Sequence, residues 1–377
     1  MKKTLIALAV LGAAAGVAHA QSNVTIYGIV DTGFIKKSGH DVEMGENVNN
    51  RLGFRGVEDL GSGVKATFEL ERRFDLNNGV EKGYTKPGYD GAANVGLKSD
   101  TWGAVRLGRV NELTTETIRK FDPFYQYGVG AMLEGSQRSP RISNTIRYDS
   151  PNWSGFHFGA SYSLGGNTDN DSINSSKAAN GTTDMTDVKK YGADNDGYGV
   201  MLGYDNGPLA LVANWSRLAD SKKSSVWNLG AAYRFGDAKV ELLYQQTKDK
   251  GWANGEASYW NVRAGGDLAA DFGAGNPYAS IDELEEKQWL LGLEWKLGPG
   301  RLNASAQWME VEASGGVHVS DKDIYKYAIG YTYDLSKRTA IYGNIAYTDY
   351  DDEEVANVYG DTDDGTYGVQ VGITHKF

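Results

Sequence analysis

The chain has 377 residues, a formal net charge of −11 and no cysteine. The missing cysteines exclude disulfides, thiol chemistry and zinc-thiolate sites, and the acidic balance argues against nucleic acid as a partner. With 23 Tyr, 9 Trp and 49 Gly against 7 Pro, the composition favours a strand-rich protein with tight turns and aromatic belts.

The first twenty residues have the pattern of a secretory signal peptide. Lys2 and Lys3 precede an Ala-rich apolar run, and Ala18-His-Ala20 fits the small-x-small cleavage rule, so we expect a mature chain from Gln21. An N-terminal anchor helix is the weaker alternative because the apolar run is too short. Cleavage removes two lysines and no acid, which changes the formal charge from −11 to −13. No later stretch approaches the roughly 20 apolar residues of a membrane helix.

Beyond the signal, apolar and polar residues alternate in many short segments. In one of them Trp289, Leu291, Leu293 and Trp295 share one parity, as in a strand with one lipid face and one wet face. Ten residues at about 3.3 Å each, tilted by about 45°, rise about 23 Å, which matches the apolar band of an outer membrane. The predicted strands are sixteen, an even number: 24–34, 50–60, 63–73, 92–100, 103–109, 141–149, 155–164, 197–205, 209–217, 225–235, 238–247, 287–297, 301–311, 323–334, 338–348 and 366–377.

The connections between these segments alternate in length. Short turns occur at 206–208, 236–237, 298–300 and 335–337, and long polar connections at 165–196, 249–286, 312–322 and 349–365. This alternation is typical of an up-and-down barrel with a periplasmic and an extracellular rim. The sequence therefore predicts an all-β fold, a 16-stranded antiparallel transmembrane barrel over 21–377, with an aqueous lumen rather than a packed core.

Five motifs resemble the general diffusion porins of Gram-negative outer membranes, most closely the beta-proteobacterial and neisserial branch. They are Arg51–Gly61, Gly103–Arg109, Asn144–Asn152, Tyr333–Ala340 and His375–Phe377. The resemblance implies passive diffusion of small hydrophilic solutes, a homotrimer, and a third extracellular loop folded into each lumen. It also implies that residues 75–91 contact a neighbouring subunit. The chain lacks the Pro-Glu-Phe-Gly signature of the enteric branch and has Asp122-Pro-Phe124 at the nearest position.

The last strand has a distinct role in this interpretation. Tyr367 and Phe377 lie at the two ends of its apolar face, and the strand is expected to pair with 24–34 and so remove the last free sheet edge. By the resemblance, the end at Phe377 is the signal that the barrel-assembly machinery reads.

The predicted site is the narrowest part of the channel rather than a catalytic centre. The resemblance places the connection from Val110 to about Pro140 inside the lumen, and strand parity turns a set of arginines towards it, because a charge facing lipid costs about 2–4 kcal/mol. A basic wall opposite an acidic loop predicts a weak to moderate anion preference. The predicted loop acids are Glu112, Glu116, Asp122 and Glu134, and the predicted basic wall is Arg51, Arg55, Arg73, Arg106, Arg141 and Arg147.

Other patterns give no further site. Asp194-Asn-Asp196 resembles half of a calcium loop but lacks the later bidentate Glu, and the four histidines after the expected signal peptide are too scattered for a metal site. The acidic stretches 349–354 and 361–364 are expected to be solvated and bridged to lipopolysaccharide by divalent cations. No cofactor is expected. The alternative functions are a substrate-specific porin, a loop-presenting adhesin-like barrel and an outer-membrane enzyme, for which no nucleophile and His pair can be placed.

Overall fold

The protein is described by a computed structural model that covers residues 23–80, 88–133, 141–165, 196–217, 224–250, 281–315, 319–359 and 363–377. The signal peptide, Glu134 and most of the connections 165–196 and 249–286 lie outside these residues. No helix in the described ranges is both long and apolar enough to cross a membrane.

Seventeen strands form one closed antiparallel sheet, in which β1 pairs with β2, β3 and β17, and each strand from β3 to β16 pairs with the next strand along the chain. Sixteen of them form the barrel wall, and β2 is a three-residue addition to the first outer loop. The strands are β1 Asn23–Lys37, β2 Glu43–Gly45, β3 Arg51–Gly61, β4 Val64–Arg73, β5 Ala92–Ser99, β6 Gly103–Asn111, β7 Arg141–Asp149, β8 Phe156–Ser163, β9 Gly197–Asn206, β10 Leu209–Arg217, β11 Ser225–Phe235, β12 Ala238–Lys250, β13 Ile281–Leu297, β14 Gly300–Gly315, β15 Val319–Asp334, β16 Thr339–Tyr350 and β17 Gly365–Lys376.

The predicted barrel is confirmed strand by strand. The strands on the short-turn side begin and end within one or two residues of the predicted positions, because glycine-containing turns mark those ends in the sequence. The largest differences are at the long-loop ends of β13, β14 and β15, which continue for 16 or 17 residues in all. The residues at these ends are polar although they belong to the strands, because the strands continue beyond the apolar band of the membrane. The change from apolar to polar residues therefore does not mark where these strands begin or end.

The two chain ends close the barrel. Residues Ile29–Lys37 of β1 pair with β17, and the N–H groups of Gly28 and Phe377 each donate to the other's carbonyl, at 3.0 and 3.1 Å. The Phe377 ring lies over Gly28, where an added Cβ would meet ring carbon Cζ at 2.3 Å. The predicted pairing of the first and last strands is therefore confirmed.

The outer face carries the apolar parity that the sequence predicted. Trp289, Leu291, Val371 and Ile373 are all exposed on it. Tyrosines and tryptophans recur on the outer face of β7 to β17, and neighbouring rings contact each other, as Trp227 and Tyr244 do at 4.8 Å between centroids. The outer faces of β1 and β3 to β6 carry Val, Ile, Leu and Phe but neither Tyr nor Trp.

The inner face is less uniformly polar than predicted. The expectation of an aqueous lumen without packed apolar residues is wrong for β9 to β16, where the inner parity includes Met201, Leu243, Leu290 and Ile324, all buried. These side chains pack against inward-folded loops in two clusters. An apolar residue on the inner parity of a barrel strand therefore indicates a packed loop rather than open water.

Candidate pore constriction

The connection after β6 folds into the barrel, as predicted. It forms a helix, Leu113–Ile118, and one 3-10 turn, Arg119–Phe121, before it crosses the lumen. Leu113, Ile118 and Phe121 are fully buried against inner side chains of β9 to β13. We call residues 112–133 the constriction loop. Its apolar side packs on one wall, so its opposite side forms the narrow part of the channel.

Glu112 begins this helix and binds within the loop rather than towards the lumen. Its carboxylate accepts hydrogen bonds from the Thr115 N–H at 2.9 Å and from the Thr114 and Ser216 hydroxyls. Glu112 is therefore the N-cap of this helix, a position where asparagine or serine is common. Its negative charge is also favourable beside the helix N-terminus. Buried Glu112 thus fixes the helix to β10.

Asp122 organises the tip of the loop. It is fully buried, and its two carboxylate oxygens accept from the backbone N–H groups of Phe124, Gln126 and Met132 at 2.8 to 3.1 Å. Burial raises the pKa of Asp122, and these three hydrogen bonds partly oppose the rise. Of the described loop acids, only Glu116 reaches the basic wall.

Three of the predicted wall arginines gather around one carboxylate. Glu71 lies 3.7 Å from Arg51, 3.4 Å from Arg73 and 4.0 Å from Arg141 between the nearest charged atoms. The guanidinium of Arg51 also donates to the Tyr127 hydroxyl of the constriction loop at 3.2 Å. We call these three arginines, with Glu71, the arginine cluster. Asp90 adds a second carboxylate beside the cluster, since it accepts from the Arg73 backbone N–H at 3.1 Å, but two carboxylates do not balance three guanidinium groups, so a net positive charge remains.

A second group on the same wall is balanced. Arg106 and Arg147 face each other on β6 and β7, and both bind Asp149, at 2.7 and 2.8 Å. Arg147 also binds Glu116 of the constriction loop at 2.8 Å. Two bases and two acids therefore neutralise each other here, and Arg147 fastens the loop helix to β7.

Arg55, the sixth predicted wall residue, lies apart from both groups. Its guanidinium stacks on the Tyr27 ring, 5.2 Å from the centroid, and remains exposed in the lumen. Tyr27 in turn donates to Glu69 at 2.8 Å, which shows that this row faces inward. Glu134, the fourth predicted loop acid, lies outside the described residues.

Sequence reasoning missed several residues that border the constriction. Arg119 lies over the Tyr127 ring at 5.7 Å and adds a further positive charge beside the arginine cluster. On the far wall, the Tyr125 hydroxyl donates to Glu294 of β13 at 2.9 Å, and Lys239 and Arg301 flank its ring. Inner parity on β12 to β14 would have identified Lys239, Glu294 and Arg301, whereas Tyr125 and Tyr127 carry no signal before the loop's path is known.

The long connection after β16 contains a short apolar segment that folds into the outer mouth. A short helix, Glu353–Val358, follows β16, and its Val355 and Ala356 are fully buried. They pack against Leu284, Met309, Val311 and Ile324 on the inner wall and against Leu133 at the end of the constriction loop. We call Glu353–Val358 the mouth helix. The acidic residues that were predicted to be solvated are exposed at Asp349, Asp351 and Glu353, whereas Val355 and Ala356, which follow them, are buried inside the outer mouth.

A closed, water-lined β-barrel narrowed by an inward loop defines the class of outer-membrane channels. The chain matches a sequence profile described as Gram-negative porin over residues 7–353. The chain belongs to the Gram-negative porin family and is a channel of the outer membrane for passive diffusion.

Individual relatives agree with this assignment. The chain is 32% identical to an outer membrane porin protein of Bordetella pertussis and 32% identical to outer membrane porin protein 32 of Delftia acidovorans, each over 100% of both chains. It is 32% identical to the major outer membrane protein P.IB of Neisseria meningitidis over 65% of this chain and 81% of that protein. Among solved structures, an anion-selective porin from Comamonas acidovorans has 26% identity and a TM-score of 0.68, covering 95% of this chain and 100% of that one.

Proposed function

We propose that this channel prefers anions weakly to moderately and that the arginine cluster sets this preference. The observation that carries the proposal is that Arg51, Arg73 and Arg141 share the single carboxylate of Glu71, whereas the Arg106 and Arg147 group is neutral. Arg119 increases the excess from the loop side. A fixed positive field at the narrowest point lowers the energy of a passing anion and raises that of a cation. The Comamonas porin, which is described as anion-selective, supports a preference for anions over cations.

The test compares two arginines on adjacent strands that face opposite sides of the wall. Arg51→Gln removes a charge from the cluster, and Arg72→Gln removes one from the outer face of β4, where Arg72 is the register partner of Leu52. A unit charge roughly 8 Å from an ion in water is worth about 0.5 kcal/mol, or about twofold in a permeability ratio. Reversal potentials in a salt gradient across a planar bilayer should show this decrease in the anion-to-cation permeability ratio for Arg51→Gln only. A cation preference in the unmodified protein would refute the proposal.

We propose that three copies of the barrel associate through the outer faces of β1 and β3 to β6. Tyr and Trp place a ring in lipid and a polar group in the headgroups, so they belong where a wall meets lipid at both interfaces. Their absence from these five faces is explained if protein covers them. A structure of Vibrio cholerae OmpT, a fold relative at 14% identity and a TM-score of 0.63, is described as a trimer form. The described residues 75–80 and 88–91 of the connection between β4 and β5 would then lie beside the neighbouring subunit, and residues 81–87 of this predicted contact lie outside the described ranges.

Lipopolysaccharide is the proposed partner of the outer rim. Beyond the Trp289 and Trp308 level, the outer face carries Lys287 within 2.6 Å of Glu310 and 3.1 Å of Glu312. Mixed lysines and carboxylates at headgroup level suit phosphates, directly or through divalent cations. If EDTA releases no lipopolysaccharide from the purified protein and leaves its heat stability unchanged, cation bridging is wrong.

Export and assembly complete the proposal. Residues 1–20 would be removed as a signal peptide, and N-terminal sequencing of the membrane form tests this by the presence of Gln21 as the first residue.

Tyr367 and Phe377 would be recognised by the barrel-assembly machinery, since they lie at the two ends of the outer face of the closing strand. Deleting Phe377 should reduce the yield of inserted barrels more than the conductance of each barrel, and normal insertion with collapsed conductance would contradict this role. We propose no catalytic activity and no cofactor.

A further inference from the structure

Basic residues face each other in pairs along the short-turn rim of the lumen. Lys65 on β4 is the direct register partner of Lys98 on β5, and Lys296 on β13 is that of Arg301 on β14. Arg234 and Lys239 form a third pair across β11 and β12. We call these six residues the basic rim. Short turns mark the periplasmic side of such a barrel, so the basic rim lines the periplasmic mouth.

Strand register places all three pairs on the inner wall. Lys65 has the parity of Glu69 and Glu71, which contact the lumen residues Tyr27 and Arg51. Lys296 has the parity of Glu294, to which the constriction loop binds through Tyr125. Arg234 has the parity of Asn228, whose amide binds Asn214 beside the loop helix.

The pairs do not stabilise the wall on which they lie. Directly opposed side chains in an antiparallel sheet have Cβ atoms about 4.5–5.5 Å apart, and like charges at that separation destabilise the pairing. Three such pairs on one rim therefore need a reason other than folding.

Nearby carboxylates balance only part of this charge. Glu241 binds Lys239, and Glu294 is shared by Lys239 and Arg301, the latter at 3.6 Å. Asp59, the register partner of Lys65, accepts from the Gly61 N–H at 2.8 Å and keeps its negative charge, and Asp100 and Asp237 lie in the turns beside Lys98 and Lys239. Lys65, Lys98, Arg234 and Lys296 form no ion pair with any residue in the described ranges. The six basic residues still outnumber these five carboxylates in a chain of net charge −11.

We propose that the basic rim is a second anion-selecting element, which concentrates small anions at the periplasmic mouth and makes conduction asymmetric. This inference rests on the proposed anion preference of the pore and adds a site separate from the arginine cluster. The constriction acts on an ion at the narrowest point, whereas the rim raises the anion concentration that the constriction samples from one side only. A mouth potential of about one kT changes the local concentration of a monovalent ion about threefold.

The inference predicts a specific dependence on salt. At about 0.05 M salt the field of the rim extends over more than 10 Å, and at 1 M it is screened within about 3 Å. Single channels inserted in one orientation should therefore conduct unequally at opposite voltages in dilute potassium chloride and equally at 1 M. Neutralising the rim should remove the inequality and lower the low-salt conductance up to about threefold.

The decisive variant is Lys65→Gln with Lys98→Gln, because neither residue contacts the constriction loop. The matched control is Lys36→Gln with Lys248→Gln, which removes the same charge from the outer face at the extracellular end. We expect the rim variant to lose part of the asymmetry, because one of the three pairs is removed, and the control to keep all of it. The melting temperature of the rim variant should stay equal or rise as a repulsive pair is removed.

Three results would overturn the inference. They are unchanged asymmetry and conductance in the rim variant, the same losses in the control, or a lower melting temperature of the rim variant, which would mean that the pair is structural. A separate measurement tests the proposed function, because the reversal potential of the unmodified channel at high salt reports the constriction with the rim screened. Anion preference at high salt with no effect of the rim variant would refute this inference alone.

Discussion

At the scale of single residues, Tyr127 links the constriction loop to the basic wall through an ionisable group. Burial opposes ionisation of its phenol, but the charges of Arg51 and Arg119 outweigh burial and lower its pKa to about 8. Arg73 and Arg141 add positive charge, and Glu71 is the nearby acid. Deprotonation would therefore place a negative charge beside the arginine cluster within an accessible pH range.

This geometry gives a pH-dependent selectivity. Below pH 8 the phenol is neutral and the cluster keeps its full excess charge, whereas above pH 8 the phenolate cancels one unit. We expect the anion-to-cation permeability ratio to fall by about twofold between pH 7 and pH 9. Tyr127→Phe should keep the pH 7 ratio throughout, and the same pH dependence in that variant would assign the titration elsewhere.

Gly28 is a second residue whose role is local and testable. An added Cβ would lie 2.3 Å from the Phe377 ring and 2.7 Å from the Arg51 carbonyl oxygen, so Gly28→Ala must displace either the ring or the β3 backbone. We expect a loss of stability of about 1–3 kcal/mol at the closing strands, visible as unfolding at lower temperature on semi-native gels.

Gly343→Ala is the control for this substitution. Its Cβ would meet only a Val371 methyl carbon at 3.7 Å, which is ordinary contact. Equal loss in both variants would mean that glycine flexibility, rather than the place of the Phe377 ring, sets the effect.

At the scale of elements, the outer mouth is narrowed by a helix that packs on the same cluster as the end of the constriction loop. Val355 is fully buried among Leu284, Met309 and Ile324, so Val355→Asp would bury an unpaired carboxylate at a cost of several kcal/mol. Undocking avoids this cost, and we expect a higher single-channel conductance with more current noise. The exposed Asp363→Asn in the same connection should change neither. Unchanged conductance in Val355→Asp would show that the mouth helix does not restrict the channel.

The sequence predicts the barrel strands well, but it predicts the contacts of the loops inside the barrel less well. Alternation fixes which residues of β13 face lipid, because a one-residue slip would turn Trp289 and Leu291 inward. Alternation also predicts that Arg51, Arg73 and Arg147 face inward, but it does not identify the residues that bind them. By sequence Glu71 is one of several inward acids, whereas in the structure it lies at the centre of the arginine cluster. Glu112 and Asp122 were predicted to face the pore because loop carboxylates are usually solvated. In the structure both accept from backbone N–H groups, which only the folded constriction loop brings to them.

At the scale of the whole molecule, the wall without Tyr and Trp predicts where subunits meet. The chain has no cysteine, so a single introduced cysteine is the only cross-linkable thiol. Val95 on β5 and Leu291 on β13 are matched in exposure, 57% and 55%, on opposite kinds of outer face. A bismaleimide should cross-link Val95→Cys into covalent dimers in membranes and leave Leu291→Cys monomeric. The reverse pattern would move the interface to the aromatic side.

The joining of the two chain ends has a consequence for when this protein can fold. Gly28 and Phe377 exchange hydrogen bonds although they lie far apart in the sequence, so this contact cannot form before Phe377 has been synthesised. Every shorter product exposes two unpaired strand edges, which no partly complete ring can hide from lipid or from other chains. Loop-closure entropy for such distant partners slows folding further. The unfolded polypeptide must therefore remain unaggregated until β17 has been synthesised and has paired with β1, and a copy truncated before β17 cannot close the barrel.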